Sequence, residues 1–398
     1  VKGALSGIRV VEMGSTVAGP FCARLFADFG AEVVKIEDPG GDTIRSMGEM
    51  VDGQSLYAAS LMRNKSLVAL DLRIERDRAV ARRLIDKADV LVENFRPGVM
   101  ERWGMGYDDL AATNPGLVMV RISGFGQSGP YSQRAGYGVI GEAVSGLRAI
   151  IGDPDRPPAR VGTPLTDYIT GLYAAFGAMA ALEERHESGR GQMIDAALSE
   201  SAFTMMESFV PAYARLGIVP RRAGARFPGA APNNLYQAID GVYVHIAAFG
   251  EPVFRRLCEA MGQPGLAADE RFANGTQRVR YVDALDLVVG AWAGALTGED
   301  VEQRLLEAGV PASRIFNLPE IFADPHFRER GMLVRTQHAA IGEVTLTGPV
   351  PRLSRTPGEV RHAGGCIGTD TRRTLANWAG LTDAEIDDIV GAAGVDVA

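Results

Sequence analysis

Short runs of valine, leucine and isoleucine, each handed on to a stretch of helical spacing, recur through residues 8–122 and constrain the fold before any motif is considered. The runs cover residues 8–12 (Ile-Arg-Val-Val-Glu), 32–36 (Glu-Val-Val-Lys-Ile), 66–70, 89–93 (Asp-Val-Leu-Val-Glu) and 117–122 (Leu-Val-Met-Val-Arg-Ile). They are nearly continuous in apolar character rather than alternating, the pattern of strands covered on both faces. Helical spacing fills residues 18–29, with Gly30 placed to close the helix, and residues 76–88. Strands separated by helices build a parallel sheet with helices on its faces. Ligands of such sheets gather beyond the carboxyl ends of the strands. Here those ends lead into residues 13–20, 37–41, 94–98 and 123–129.

Further along, residues 168–186 read as a long helix kept slim by Gly171, Gly177 and many alanines, which suits close packing on another backbone. Its charged end closes at Gly189. Residues 192–215 read as a strand and a helix. Residues 221–234, rich in Pro, Gly and Ala, read as a linker or loop. Residues 241–330 then read as one strand followed by several helices, a smaller second domain. A strand at 343–347, an extended stretch at 352–368 and a last helix opened by the capping box Thr382-Asp-Ala-Glu385 complete the chain.

With 398 residues there is room for about two or three domains. At 46% hydrophobic and 23% charged residues the composition is that of an ordinary globular protein. No apolar run reaches the length of a bilayer span, and the first residues carry no signal-peptide core. Cys22, Cys258 and Cys366 lie far apart without zinc spacing, which points to a reducing, cytoplasmic setting; Cys22, on an apolar helix face, reads as core. The five histidines form no ligand pair, so no metal site is expected, and His245, in an apolar strand, reads as a satisfied core residue. A net charge of −8 argues against a nucleic-acid coat while leaving room for a local basic pocket.

Several segments carry candidate chemistry. Gly14-Ser-Thr-Val-Ala-Gly19-Pro20 follows the first strand, but it is neither the dinucleotide fingerprint nor a P-loop. Asn94-Phe-Arg-Pro-Gly98, with Arg102 beyond it, sets two guanidiniums and an aromatic ring past a strand end, suited to phosphate and adenine or equally to a solvated turn. Lys65 and Arg73 flank another strand and could join a phosphate pocket. The glycine-rich exit Ser123-Gly-Phe-Gly-Gln-Ser-Gly-Pro130 lets backbone approach a ligand or makes a tight turn. Asp167 stands at the mouth of the long helix, in Thr163-Pro-Leu-Thr-Asp-Tyr-Ile-Thr-Gly171. There it serves as an N-cap, as an ionised nucleophile, or as both. No GxSxG elbow is present, which sets a serine hydrolase aside.

Taken together and in order, these segments resemble the class III CoA-transferases, the family of formyl-CoA transferase and carnitine CoA-transferase. The resemblance rests on residues 5–12, 18–20, 30–37, 64–66, 89–98 and 123–130, on Asp167 and on Gly189-Arg-Gly-Gln192. Residues 231–236 and 254–257 extend it more loosely.

The resemblance implies an α/β fold: a Rossmann-like large domain with a parallel sheet, plus a smaller α+β domain, the ring-shaped chain interlocked with a second copy in a homodimer. Mapped onto this chain, the large CoA-binding domain takes residues 1–200, a linker 201–225, the small domain 226–330, a return linker 331–365 and the C-terminal segment 366–398. The implied activity moves CoA from an acyl-CoA donor, with succinyl-CoA as the candidate, to a small carboxylic or dicarboxylic acid. It runs through aspartyl anhydride and aspartyl-CoA thioester intermediates, with Asp167 as the nucleophile. No permanently bound cofactor is implied; coenzyme A enters as a co-substrate. The carried-over CoA contacts are Val17, Ala18, Leu70, Arg73, Asn94, Phe95, Arg96, Arg102, Met105 and Tyr137. Arg148, Arg160 and Arg226 stand as candidate partners for a substrate carboxylate.

Three departures from the family pattern stand out. Asp38 occupies a position where some members have an arginine for the CoA phosphates. Val17 replaces a glutamine, and no run of consecutive glycines follows residue 200. Two other functions stay in view. One is an α-methylacyl-CoA racemase, which carries Gly-His-Asp where this chain has Gly136-Tyr137-Gly138; tyrosine, with an ordinary pKa of about 10, is a poor base near neutrality. The other is a CoA-ester-binding protein without catalysis.

Overall fold

The computed structural model describes residues 2–393. The chain divides into two compact units. One holds the residues up to Leu147, Val161–Ile218 and the segment from Pro325 onward; the other holds Arg148–Arg160 and Val219–Asp324.

The first unit is built on β1 (Arg9–Glu12), α1 (Ala18–Asp28), β2 (Glu32–Glu37), β3 (Ser66–Ala69), α2 (Glu75–Ile85), β4 (Val90–Glu93) and β5 (Val118–Ser123). It continues through α3 (Gly138–Val144), α4 (Leu165–Ser188), β6 (Met193–Ala197) and α5 (Leu198–Thr204). The six strands form one parallel sheet in the order β3-β2-β1-β4-β5-β6. The chain thus winds outward from β1 to β3, returns to the middle and winds outward again from β4. Between β1 and β4 the direction reverses, and there the loops leaving the two strands part to open a crevice.

Burial on both faces explains the continuous apolar runs. Val10, Val33, Val90 and Val118 pack toward α1 and α4. Their neighbours Val11, Val34, Leu91 and Met119 pack toward α2 and toward Leu375, Trp378, Ile386 and Ile389 near the C-terminus. Each such side chain contributes roughly 1.5–3 kcal/mol. A one-residue slip of any strand would exchange its two faces, so the register is tightly specified.

α1 ends at Asp28, with Phe29 at the C-cap and Gly30 beyond it at φ 99°, as its glycine predicts. Helix α4 closes at Gly189 (φ 71°) but starts three residues earlier than its apolar spacing suggests, capped by Pro164, whose ring fixes a helix-compatible φ of −72°. Asp167 is therefore not the N-cap; it is the third residue of the helix. The close approach expected of a slim helix is made at Gly171, where a Cβ would lie 2.7 Å from the Phe21 ring and 3.0 Å from the Ala18 carbonyl oxygen of α1. Cys22 is fully buried in that layer, and burial pushes its thiol up to about 12, so it is core.

In the second unit β7 (Asn233–Gln237), β8 (Tyr243–Ala247) and β9 (Ala312–Arg314) form an antiparallel sheet in the order β9-β8-β7. The reading of residues 221–234 as loop followed by a single strand is corrected: β7 and β8 are a hairpin turned at Asp240-Gly241 (Gly241 φ 81°). An Asp-Gly pair between two apolar runs is the signal for it. Buried Arg278 donates to the carbonyls of Ala231, Phe272 and Phe249 at 2.8–3.1 Å. His245 is half-buried rather than core, and its ring meets the Asn233 side chain at 2.8 Å.

The C-terminal capping box forms: Thr382 N–H donates to Glu385 Oε2 (2.8 Å) and Glu385 N–H to Thr382 Oγ1 (3.4 Å). Within the first unit, residues 359–362 are tied to Asn64, whose Oδ1 accepts from the Arg361 N–H (2.7 Å) and whose Nδ2 donates to the Glu359 carbonyl (2.8 Å). Among the described residues no helix is long and apolar enough to cross a membrane.

Candidate functional site

Two adjoining cavities open beyond the carboxyl ends of the strands in the first unit. One, of about 470 Å³, is lined by Ser15, Thr16, Ala18, Thr43, residues 94–97, residues 122–124, residues 134–137, Asp167 and Leu198. The other, of about 270 Å³, lies over β2 and β3 and is lined by residues 13–15, 35–38, 41–43, 70–73, Phe95 and Trp103. Ser15, Thr43 and Phe95 border both, so the two adjoin along one crevice wall.

The loop after β1 is held from beneath. Lys35, fully buried, donates to the Gly14 carbonyl and to Asp42 Oδ2 (2.8 Å), and lies 3.1 Å from Glu12. Burial alone would drive the proton off this lysine, but Glu12 and Asp42 outweigh it and hold the ammonium above the usual lysine range. Asp42 in turn accepts the N–H of Thr16 (2.9 Å), which keeps Thr16 in a left-handed backbone at φ 67°. Asn94, beyond β4, closes the loop from the side: its Oδ1 accepts from the Ser15 N–H and its Nδ2 donates to the Ser15 carbonyl, both at 2.8 Å. Gly14 and Gly19 are glycines because their backbones meet each other and Asn94; a Cβ on Gly14 would lie 3.1 Å from the Gly19 Cα.

The β4 exit is set by Glu93, whose Oε2 accepts the Phe95 N–H (2.7 Å) and whose Oε1 accepts from Arg121 (2.7 Å). Burial, answered only in part by Arg121, pushes this carboxyl up to about 7. The loop after β5 closes at a backbone contact, where a Cβ on either Gly124 or Gly136 would lie 2.8 Å from the other's Cα. Arg134 stacks its guanidinium 3.4 Å from the centre of the Tyr131 ring. Tyr137, 70% exposed, caps α3. Asp167 comes in from the first turn of α4, and its carboxylate rests on Gly138, the first residue of α3.

Of the residues singled out from sequence, Ala18, Asn94, Phe95, Arg96, Tyr137 and Asp167 line the first cavity, and Leu70, Arg73 and Phe95 line the second. Val17 packs below the crevice with Phe21, Ile44 and Leu61, Met105 packs in the core beside α2, and Arg102 is exposed outside both cavities near Gly98. Lys65 does not belong to a phosphate pocket: it is buried, with Glu12 Oε2 at 2.6 Å and the Pro20 carbonyl at 2.7 Å. Arg226 is already held by Asp286 (2.6 Å) and Asp283 (2.7 Å), and Arg148 and Arg160 belong to the second unit. Sequence reading missed Arg134 and the Lys35–Asp42 support. A lysine inside a strand covered on both faces was the available signal, since such a charge must have a buried partner.

Similarity to known proteins extends over most of the chain. It matches the family model of CoA-transferase family III over residues 5–371 and belongs to that family, so it is a CoA-transferase. It is similar to the succinyl-CoA–D-citramalate CoA-transferase of Chloroflexus aurantiacus, 43% identical over 384 residues, 96% of each chain. Another relative is the succinyl-CoA–L-malate CoA-transferase alpha subunit of Chloroflexus aurantiacus, 40% identical over 386 residues, 96% of this chain and 90% of that one. Among solved structures, a CaiB/BaiF family protein from Brucella suis superposes with a TM-score of 0.84 at 33% identity, covering 95% of this chain and 100% of that one. Catalysis thus takes the place of the binding-only alternative.

Proposed function

We propose that this transferase moves CoA from succinyl-CoA to a small di- or hydroxydicarboxylic acid, with the Asp167 carboxylate as the covalent carrier. The observation that carries the reading is the position of Asp167. It is the carboxylate on the wall of the first cavity, at the point where the sheet reverses direction, and Arg96 and Arg134 line the same cavity. The choice of donor and acceptor follows the relatives, whose names pair succinyl-CoA with citramalate, malate and mesaconate.

In the proposed sequence an Asp167 oxygen attacks the thioester carbonyl, the C–S bond breaks, and CoA leaves as the thiolate. The thiolate then attacks the aspartyl carbonyl of the mixed anhydride, freeing the donor acid and leaving an aspartyl-CoA thioester. The acceptor carboxylate attacks that thioester, releasing the thiolate and forming a second anhydride. Attack of the thiolate on the acceptor's acyl carbon gives the new acyl-CoA and restores the carboxylate. No net proton or electron is needed. A carboxylate is a weak nucleophile in water, and fixed orientation supplies several kcal/mol. The Gly124–Gly136 backbone lines the same cavity, suited to charge on the tetrahedral intermediates, and Arg134 there is suited to the acceptor's second carboxylate.

Coenzyme A is read as lying along the crevice, with its thioester by Asp167 and its nucleotide end over the second cavity, near Leu70, Arg73 and Phe95. Arg73 now pairs with Asp71 (2.7 Å) and Asp38 (3.2 Å), but its side chain is 75% exposed. An exposed pair of this kind is weak and screened by solvent, so a phosphate can displace it despite Asp38.

The chain is read as a homodimer in the cytoplasm. On α4, Leu172, Phe176 and Met179 form an exposed apolar stripe at helical spacing, with Phe176 74% exposed. Light scattering should give the mass of two chains; the mass of one would overturn the dimer.

The decisive experiment compares the wild type with Asp167→Asn on succinyl-CoA and a panel of dicarboxylates. Transfer should fall by at least ~10³-fold while acyl-CoA still binds. Hydroxylamine should inactivate the wild type only when acyl-CoA is present. A normal rate from the Asn variant would end the covalent scheme.

A further inference from the structure

Gly138 has no need of glycine for its own backbone. It is the first residue of α3 and is absent from the residues with positive φ. Alanine would favour the helix by up to ~1 kcal/mol. What a side chain there would displace is the neighbour: a Cβ at 138 would overlap Oδ2 of Asp167 and lie 2.8 Å from its Cγ and 3.3 Å from Oδ1.

Neither backbone is free to retreat from such a clash. One turn along α3, a Cβ on Gly141 would lie 2.9 Å from the Leu198 carbonyl carbon, so α3 is seated on the start of α5. On the other side, α4 is seated on α1 at Gly171, one turn beyond Asp167. Just before α3, Gly136 is locked against Gly124. An added methyl group at 138 would therefore be accommodated by rotation of the Asp167 side chain.

We propose that Gly138 is a positioning residue: the missing side chain is the space in which the Asp167 carboxylate is set on the cavity wall. The helix forgoes a better residue at its first position so that the carboxylate can occupy that place. The inference rests on the reading of Asp167 as the nucleophile, and the test separates the two.

The experiment is Gly138→Ala in the full-length enzyme, assayed beside Asp167→Asn. A displacement near 1 Å of a reacting group costs on the order of 10²-fold, so kcat should fall about 100-fold. KM for succinyl-CoA should stay within about 3-fold, because the crevice that holds CoA is untouched. The melting temperature should hold or rise slightly, since alanine favours the helix. A crystal structure of the variant should show the Asp167 carboxylate turned away from residue 138. A kcat within 2-fold of wild type, with Asp167→Asn inactive, would overturn the positioning role alone. A melting temperature that fell together with kcat would make Gly138 a folding residue and would also overturn it. If Asp167→Asn transferred CoA at the normal rate, the nucleophile reading would fail. The positioning claim would then be decided by whether the carboxylate moves in the variant's crystal structure.

Discussion

The loops after β1 and β5 both line the first cavity and are built on different plans. The β1 loop spends polar groups on holding its own backbone: Lys35 takes the Gly14 carbonyl, Asp42 takes the Thr16 N–H, and Asn94 takes both polar groups of Ser15. The β5 loop has two side-chain acceptors, Ser123 Oγ for the Gly126 N–H and Asp195 Oδ2 for the Gln127 N–H, but no buried ion pair beneath it; it closes by backbone contact at Gly124 and Gly136, and its large side chains Tyr131, Arg134 and Tyr137 stay exposed. One loop is a fixed wall and the other a display of functional groups. Where ions are buried beneath a loop its geometry is not negotiable; where glycines close it, the side chains are left to meet a ligand.

The comparison breaks hardest at Lys35. Lys35→Met leaves Glu12 and Asp42 buried without this counter-charge, which should cost about 3–5 kcal/mol. A thermal melt would show a fall of several degrees, with weaker acyl-CoA binding as the Thr16 turn relaxes. An unchanged melting temperature would mean that the β1 loop does not depend on its buried ions. A smaller break is Asn94→Ala, which removes two hydrogen bonds worth about 1 kcal/mol each and should raise KM for acyl-CoA several-fold with a modest loss of stability. An effect on KM for the acceptor alone would contradict the wall role. Arg134→Ala, on the displayed side, sharpens the contrast with the least effect on the fold. Stability should stay within about 0.5 kcal/mol of wild type. Loss of one charge-assisted contact, about 1.5 kcal/mol, should raise KM for the dicarboxylate roughly 10-fold. Equal activity toward mono- and dicarboxylates before and after the change would remove Arg134 from acceptor binding.

Much of this was legible in the chain itself. The parallel sheet follows from runs such as Val90–Glu93 and Val118–Ser123, whose lack of alternation demands cover on both faces. The helix closures at Gly30 and Gly189 and the capping box at Thr382 follow from local backbone chemistry. The crevice at the strand ends was expected from the topology, whereas Asp167 by its place alone read first as a cap and became a candidate nucleophile through the family resemblance. The errors share a cause. Lys65 looked like a phosphate ligand and Arg226 like a carboxylate partner, because a cation's neighbours in sequence say nothing about its neighbours in space. Glu12, 53 residues away from Lys65, and Asp286, 60 residues away from Arg226, claim them.

What the sequence by itself determined is what short-range forces decide: which segments are strands or helices, which face is apolar, where turns and caps fall, and that the strands run parallel. Tertiary structure alone decided which charges are buried and paired, that the Asp167 carboxylate settles against a glycine 29 positions earlier, and that Arg148–Arg160 joins the second unit. The physical reason is range. Propensity and hydrophobic periodicity act within a turn or a strand, whereas ion pairing and steric fit depend on distances that exist only once the chain has folded.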